Sequence, residues 1–523
     1  MSSRQSSRAA LVATRVWLLV MMVLLAGCAG DMQPVTHAGV EEGVHNDDSF
    51  LSSQSRQRLA GTGGQSGFYM LDSGREAFLS RAALIEAAEH SIDAQYYIWN
   101  SDASGEYLAG RLLLAADRGI QVRLLLDDFN AEDIGKLFAV LGTHPNIQVR
   151  IFNPARSRDG WGRWVSFLMD FDRINRRMHN KTFVVDGAAG IVGGRNIGDE
   201  YFGFDEARYF RDRDVLSLGP VVDGMTDNFE AYWNSRWAYP VSVLYPDTSA
   251  GGDVTAALHQ LRRQAGTQSG LPVSAPADSS QGRSELTELL SQLTVAHGEL
   301  VFDPPFETME EPVETPKRSA KALQRLAQAA SEEILIESAY LILTEEQLQI
   351  LDMGNRDGLE VSALTNSLAT NDLVTNHAGY ARWRTYMLEQ GIRIYELKPD
   401  AEACRQWLDT DGFCETGEAS LHSKSVVFDR STLVVGSFNV NLRSIYLNGE
   451  TVLIIRSEEL AEQVARDIRT VMEPHNSWEV SLDNGGELQW RSGREAHTTE
   501  PAVGWWLRTQ SRFLSWLPIE KYL

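Results

Sequence analysis

Apolar positions along this chain follow two alternating periods. From Arg75 to Ser91 they recur at helical spacing, and Ile92-Asp-Ala-Gln-Tyr-Tyr-Ile-Trp99 then reads as a strand. Helical spacing resumes near Ser104 and stops at Gly119, a residue type that tolerates a left-handed stop. Ile120 to Leu126 is a short apolar run, a strand leading into Asp127-Asp128. The same order returns in the second half. A helix is predicted from about Arg318 to Ala330, then a strand from Ile334 to Tyr340. The next helix opens at Thr344 with a capping box, Thr344-Glu-Glu-Gln347. Gly358 precedes the strand Leu359 to Thr365.

The two halves are one unit written twice. Tyr97 and Tyr340, His179 and His422, Lys181 and Lys424 all stand 243 positions apart. So do Asp186 and Asp429, Gly193 and Gly436, and Asn196 and Asn439. A constant offset over so many positions means duplication. Strands alternating with helices predict a mixed, largely parallel sheet with helices on both faces in each half. The Ser-, Gly-, Ala- and Pro-rich stretch from Thr248 to Gly282 reads as linker or inserted loop. The expected organisation is a first half over 61–247, a linker or insertion over 248–315, a second half over 316–480 and a tail over 481–523.

The N-terminus changes the picture by adding an address. Arg4, Arg8 and Arg15 precede an apolar run from Val16 to Ala26, too short to span a bilayer comfortably. Leu25-Ala26-Gly27-Cys28 resembles a bacterial lipoprotein signal, with residues 1–27 removed and Cys28 lipidated. Residues 28–60 then read as a flexible tether. That places the protein on the periplasmic side of a bacterial envelope, with Ala29 permitting sorting to the outer membrane. Cys404 and Cys414 share one loop, where a small disulfide would persist in such a compartment. With 48 basic against 71 acidic residues the net charge is −23, which disfavours a nucleic-acid partner.

Chemistry concentrates in the duplicated motif. The first copy is His179-Asn-Lys181-Thr-Phe-Val-Val-Asp186 followed by Gly193-Gly194-Arg195-Asn196. The second is His422-Ser-Lys424-Ser-Val-Val-Phe-Asp429 followed by Gly436-Ser437-Phe438-Asn439. Residues i and i+2 of a strand share a face, so each histidine and its lysine point into one space. Pairing the halves about a pseudo-twofold axis would bring both pairs into one cleft. There a neutral imidazole can attack phosphorus, and a protonated one can supply the leaving alkoxide with its proton. Two ammonium groups and two amides can hold the non-bridging oxygens, so no metal and no cofactor is expected.

These two copies resemble the phospholipase D superfamily. The resemblance implies two phospholipase D-like α/β/α domains with the active site at their interface. It implies that His179 is nucleophile and His422 general acid; the near-symmetry of the copies leaves the reverse assignment open. It implies that Lys181, Lys424, Asn196 and Asn439 bind phosphate, with Ser437 in the same role in the second copy. Arg195 stands where that copy has Phe438, and contact with phosphate is its expected part. A downstream acid is implied to orient each histidine, Glu450 in the second half and Asp214 at the matching place in the first. Asp186 and Asp429 are expected to fix the turn after each motif strand.

The segments Ile92 to Trp99, Arg173 to Lys181, Val192 to Asp199, Leu364 to Asp372 and His377 to Arg384 look like bacterial cardiolipin synthases of the C type. That resemblance implies transfer of a phosphatidyl group through a phosphatidyl-histidine to give cardiolipin. One phosphatidylglycerol is expected to give the phosphatidyl-histidine and a second lipid to accept the group, with phosphatidylethanolamine the expected partner. A phospholipase D releasing phosphatidic acid stands as the alternative; a nuclease or an inactive membrane scaffold is disfavoured. No motif names an accessory protein. Membrane phospholipids are the expected partners, and three segments could meet them. Trp161 to Met169 is apolar, and Arg173, Arg176 and Arg177 form a basic cluster suited to anionic headgroups. Trp505 to Leu517 sets aromatics and leucines against Arg and Gln at helical spacing, either an interfacial helix or one docked on the body.

Overall fold

The computed structural model describes residues 35, 48–155, 170–246, 248, 253–268, 270–308, 314–351, 356, 358–408, 417–516 and 520–522. The signal segment, Cys28, most of the tether and the stretch Trp161 to Met169 lie outside them. Cys404 is disulfide-bonded; Cys414 also lies outside the described residues.

The first half supplies β1 (Ser66–Leu71), β2 (Ser91–Tyr96), β3 (Gln121–Asp127), β4 (Ile147–Phe152), β5 (Thr182–Val185), β6 (Ala189–Gly193), β7 (Arg208–Arg211), β8 (Asp214–Leu218) and β9 (Ala238–Pro240). After β10 (Thr294–Phe302) the second supplies β11 (Glu333–Ser338), β12 (Glu360–Asn366), β13 (Arg393–Leu397), β14 (Glu418–Leu421), β15 (Lys424–Phe428), β16 (Thr432–Gly436), β17 (Thr451–Arg456), β18 (Ser477–Leu482), β19 (Leu488–Ser492) and β20 (Glu495–His497).

The helices obey their caps. Ser73 and Asp102 accept from Glu76 N and Gly105 N to open Gly74–Ala87 and Ala103–Asp117. Gly119, at φ +98°, turns the chain into β3. In the second half the Thr344 amide donates to Gln347 Oε1, opening Glu345–Leu351 as the capping box predicts. Side chains of β3 alternate between two layers. Val122, Leu124 and Leu126 pack with the helices Gly74–Ala87 and Ala103–Asp117, while Leu125 packs with Phe229, Tyr232 and Trp233 of the helix Val221–Trp233.

The duplication is visible in the pairing. The first half runs β9-β4-β3-β2-β5-β6-β8-β1, and the second runs β18-β13-β12-β11-β15-β16-β17-β10. β10 pairs β1 at one end and β17 at the other, fusing the two into one sheet. Only β2–β3, β3–β4, β11–β12 and β12–β13 are parallel within it, so the sheet is mixed but mainly antiparallel. The motif strands belong to hairpins, β5–β6 and β15–β16, and a hairpin reverses direction where a helix crossover would not. Asp186 (φ +54°) and Asp429 (φ +48°) stand at those hairpin corners. Their carboxylates accept from the amides of Glu89, His90 and Ser91, and of Ser331, Glu332 and Glu333. They brace the turn and do not line the cavity described below.

Three expected assignments are corrected. Phe50–Arg58, inside the expected tether, is a helix capped by Ser49. The segment 248–315 is no linker. It folds as the helices Asp253–Thr267 and Ser279–Leu290 and then β10. The first helix lies so close to Ala103–Asp117 that a Cβ on Gly110 would come within 2.7 Å of Ala265 Cβ. The second lies against Gly74–Ala87 with Gly282 at the contact. Nor is 481–523 simply a tail. β18, β19 and β20 continue the second sheet, and only then does the helix Trp505–Leu514 follow. That helix packs on Val374–Glu389, where the His377 ring and Ser511 Oγ are 3.1 Å apart.

The halves share a core. Phe68, Val184, Val192 and Val215 of the first cluster with Leu335, Val427, Leu433 and Leu453 of the second. β7 pairs β14 across the boundary, and Arg211 and Arg213 both reach Glu337 and Asp467. Each motif histidine is also pinned by the opposite half. The His179 amide donates to Gly449 O at 2.8 Å, and the His422 amide to Arg211 O at 2.8 Å.

Candidate active site

Both motif histidines line one cavity of about 420 Å³ between the halves. Each sits just ahead of a motif strand, and its backbone bond to the opposite half holds it there. His179 Nδ1 lies 2.8 Å from Glu450 Oε2, and His422 Nδ1 lies 2.5 Å from Asp212 Oδ2. A carboxylate can only accept, so in each ring Nδ1 carries the hydrogen and Nε2 keeps the lone pair. The acid comes each time from the other half.

Asp214 is therefore corrected. Its carboxylate bonds Arg81 at 2.8 Å and takes the Arg195 amide. The hydrogen-bond register explains the difference. Gly194 N donates to Arg213 O, and Ser437 N donates to Thr451 O. Arg213 thus corresponds to Thr451, and Asp212 to Glu450. A spacing of 243 does not hold throughout, because loops of unequal length intervene. The bridges Trp99–Ile197 and Leu341–Val440 likewise set Tyr97 and Tyr340 one position out of correspondence.

Arg195 is corrected too. It is fully buried and its guanidinium donates to Leu71 O, Asp72 O and Asp212 O, bracing two loops away from the cavity. Ser437 is turned from phosphate to the acid. Its hydroxyl donates to Glu450 Oε2 at 2.5 Å, joining Ser444 at 2.7 Å and Asn448 at 3.1 Å. At Gly194 a Cβ would lie 2.2 Å from Asp212 Oδ1, so the first copy has room there only for glycine.

Lys181 and Lys424 are buried, and each ammonium donates to the carbonyl of its own histidine. Lys424 Nζ is also 2.9 Å from His422 Nδ1. Asn196 and Asn439 line the cavity. Asn196 Oδ1 accepts from Ile98 N and its amide donates to Tyr201, whereas Asn439 Oδ1 has no hydrogen-bond partner among the described residues. Tyr97 packs edge-on to the His179 ring at 4.9 Å, and Tyr201 does the same to His422 at 5.2 Å. Of the expected basic cluster only Arg177 reaches the cavity, where it pairs with Asp127 at 3.2 Å. Arg173 turns to Asp170 and Asn153, and Arg176 to Thr308 O. Sequence reading missed Asp212, Tyr201, Asp372 and Arg443. The pair Asp212-Arg-Asp214 offered two acids and no register to choose between them.

Burial dominates the electrostatics. It holds both imidazoles at about 4, with the neighbouring lysine pushing the same way and the carboxylate opposing. Burial takes Lys181 to about 7 and lowers Lys424. Glu450 and Asp212 are held below their ordinary values despite burial, because His179 and Lys181, and Lys424 and His422, favour the charged form. The protein's own groups therefore set two neutral imidazoles against two carboxylates. This has a sign for stability. An unfolded chain protonates its histidines near 6.5 whereas the folded site resists until about 4, so the unfolded state binds more protons between those values. Thermal midpoints are expected to fall as pH drops from 7 to 4.5. A double His179→Asn, His422→Asn variant should lose part of that slope, and an unchanged slope would refute the neutral assignment.

Comparison with known proteins agrees with the geometry. The family model for cardiolipin synthase, phospholipase D-like domain, matches twice, over residues 82–233 and 323–472. Cardiolipin synthase C of Escherichia coli (strain K12) is 39% identical over 475 residues, 87% of this chain and 96% of that one. Cardiolipin synthase A of Pseudomonas entomophila is 25% identical over 82% of this chain and 71% of its own. Phosphatidylserine synthase of Haemophilus influenzae superposes with TM-score 0.56 at 13% identity, covering 90% of this chain and 100% of that one, a likeness of fold. The chain belongs to the cardiolipin synthase family of phospholipase D-like proteins.

Proposed function

We propose that this protein is a phosphatidyltransferase that makes cardiolipin from phosphatidylglycerol and a second phospholipid through a phosphatidyl-histidine. One observation carries the reading: two imidazoles, each held at Nδ1 by a carboxylate of the opposite half, line a single cavity. His179 Nε2 attacks phosphorus, and the bond from phosphorus to the headgroup oxygen breaks as His422 gives that oxygen its proton. The hydroxyl of an acceptor lipid then attacks, His422 takes its proton, and the phosphorus–nitrogen bond breaks. One phosphodiester replaces another, so no energy source is needed.

The neutral state of His422 fits this sequence. A bound phosphodiester brings negative charge beside the ring, which favours protonation. The substrate thus helps create the acid that cleaves it. Asn439 and the two lysines are the donors for the non-bridging oxygens.

The substrate resides in a bilayer, and the exposed apolar residues are placed to meet one. Phe129 and Leu373 stand exposed at the cavity. Trp505, Trp506, Phe513 and Trp516 are 64–82% exposed on and just after the helix packed against Val374–Glu389. Tyr522, a few residues on, lines the cavity and its carbonyl accepts from Arg443 at 3.0 Å. The helix is docked through Ser511 and also turns an aromatic face outward, which joins the two readings of it. No helix among the described residues is long and apolar enough to cross a membrane. We propose attachment through this face and through lipidation at Cys28, on the periplasmic side. Changing Trp505, Trp506 and Trp516 together to Ala is expected to lower binding to anionic vesicles by about tenfold or more, read by flotation, while activity on a micellar short-chain lipid changes little.

The test of function is product analysis. Purified protein is given phosphatidylglycerol with and without phosphatidylethanolamine, and the lipids are resolved. Cardiolipin is expected, with ethanolamine released when both lipids are present. Phosphatidic acid alone would show that water, not a lipid hydroxyl, reaches the phosphohistidine.

A further inference from the structure

The cavity is electrically lopsided. Arg177 and Arg443 line it on the His179 side, beside the stacked rings of Tyr97 and Phe129. Arg443 donates to Asn448 Oδ1, to Asn175 O and to Tyr522 O, and no carboxylate pairs it among the described residues. The His422 side offers acceptors instead. Asp372 lines the cavity there, with both carboxylate oxygens 2.9 Å from the Tyr340 hydroxyl. One O–H proton cannot satisfy two oxygens, so the carboxylate keeps acceptor capacity for a ligand. Its charge acts on His422 and Lys424, which fixes its place at that end. Asn376, one helical turn on, lines the same cavity at 5% exposure, and its Oδ1 has no hydrogen-bond partner among the described residues.

In-line displacement gives these groups a role. If His179 attacks, the departing oxygen lies opposite it, next to His422, and the rest of the headgroup must extend along that side. We propose that Asp372 is the headgroup-recognition residue, its carboxylate taking the ammonium of an aminoalcohol headgroup as that headgroup is cleaved and released. The inference rests on the phosphatidyl-transfer reading above and adds to it which lipid gives up its headgroup. Both headgroups can make a charge-assisted bond to the carboxylate, but an ammonium adds a charge–charge attraction that a neutral hydroxyl lacks, so an aminoethyl lipid is the favoured phosphatidyl donor. Phosphatidylglycerol, whose headgroup offers hydroxyls only, is left as the acceptor, the reverse of the order that the resemblance implies. A headgroup carrying its own carboxylate or phosphate is repelled.

The experiment measures headgroup release by the full-length protein from micelles of phosphatidylethanolamine or phosphatidylglycerol, each alone. The quantity read is kcat/KM for ethanolamine release divided by kcat/KM for glycerol release. Asp372→Asn is expected to lower this ratio about tenfold. Asp372 is exposed, so folding is not at risk from the change. Tyr340→Phe, which removes the hydroxyl that holds the carboxylate in place, should move the ratio in the same direction by a smaller factor. A ratio that falls less than threefold in Asp372→Asn, whatever the absolute rates do, overturns the proposal. Equal losses on both headgroups would mean that Asp372 acts only through His422. The ratio is read before any acceptor is chosen, so it holds whether the lipid product is cardiolipin or phosphatidic acid; that product tests the transfer reading separately.

Discussion

Changing His179 to Ala is expected to lower turnover roughly 10⁴-fold or more, and His422→Ala to do nearly the same. The two losses differ in kind. Without His179 no phosphorus–nitrogen bond can form, so no labelled protein should be found with any substrate. Without His422 the first step lacks only its acid. A phosphodiester with a good leaving group, such as p-nitrophenol, needs little protonation and should still phosphorylate His179, releasing p-nitrophenolate. The second step then lacks its base, and the phosphohistidine should accumulate. Mass analysis of the His422→Ala protein after such a substrate is expected to show the adduct on His179. An adduct on His422 in the His179→Ala protein would reverse the roles, which the near-symmetry of the two copies permits. Normal turnover in either variant would end the two-histidine mechanism.

How much of this was legible in the residues depends on what fixes each part. The spacing His-x-Lys puts each lysine close to its histidine, as expected, though not by a shared strand face: His179, Lys181 and His422 precede β5 and β15, Lys181 Nζ reaches the His179 carbonyl, and Lys424 Nζ lies 2.9 Å from His422 Nδ1. The turn aspartates were legible for the same local reason. Long-range choices were not. Nothing in Asp212-Arg-Asp214 says which acid meets the cavity, because that depends on the register of β6 against β8 and on a histidine some two hundred positions away. Arg195 looked available for phosphate, yet the buried carbonyls of Leu71 and Asp72 claimed it. The helices Asp253–Thr267 and Ser279–Leu290 escaped notice because each buries only a narrow stripe, Leu261 and Ala265 or Leu286 and Leu290, amid Gly, Ser and Gln. Composition spoke for a linker, and packing against small residues on the neighbouring helices decided otherwise.

The exchanged acids lead to the second large effect. Asp212→Asn and Glu450→Gln are each expected to cut turnover roughly 10²- to 10⁴-fold, because an amide can no longer hold its histidine with the hydrogen on Nδ1. In the serine-protease triad, where the same change has been weighed, the loss reaches about 10⁴. Asp214→Asn separates register from composition. It disturbs the Arg81 pair and should lower stability, yet the kcat of the folded fraction should stay within several-fold of the parent. The phenotypes should also sort across the halves rather than within them. Glu450→Gln lies in the second half but should resemble His179→Ala, with little covalent adduct from an activated ester. Asp212→Asn lies in the first half but should resemble His422→Ala, with adduct formed and slowly discharged. If instead each acid variant matched the histidine of its own half, the pairs at 2.8 Å and 2.5 Å would not be the ones that work during catalysis. Such an exchange also means that neither half can hold a properly oriented histidine alone. In this chain each histidine is oriented only where the two halves meet, and kcat in these variants measures the strength of that dependence.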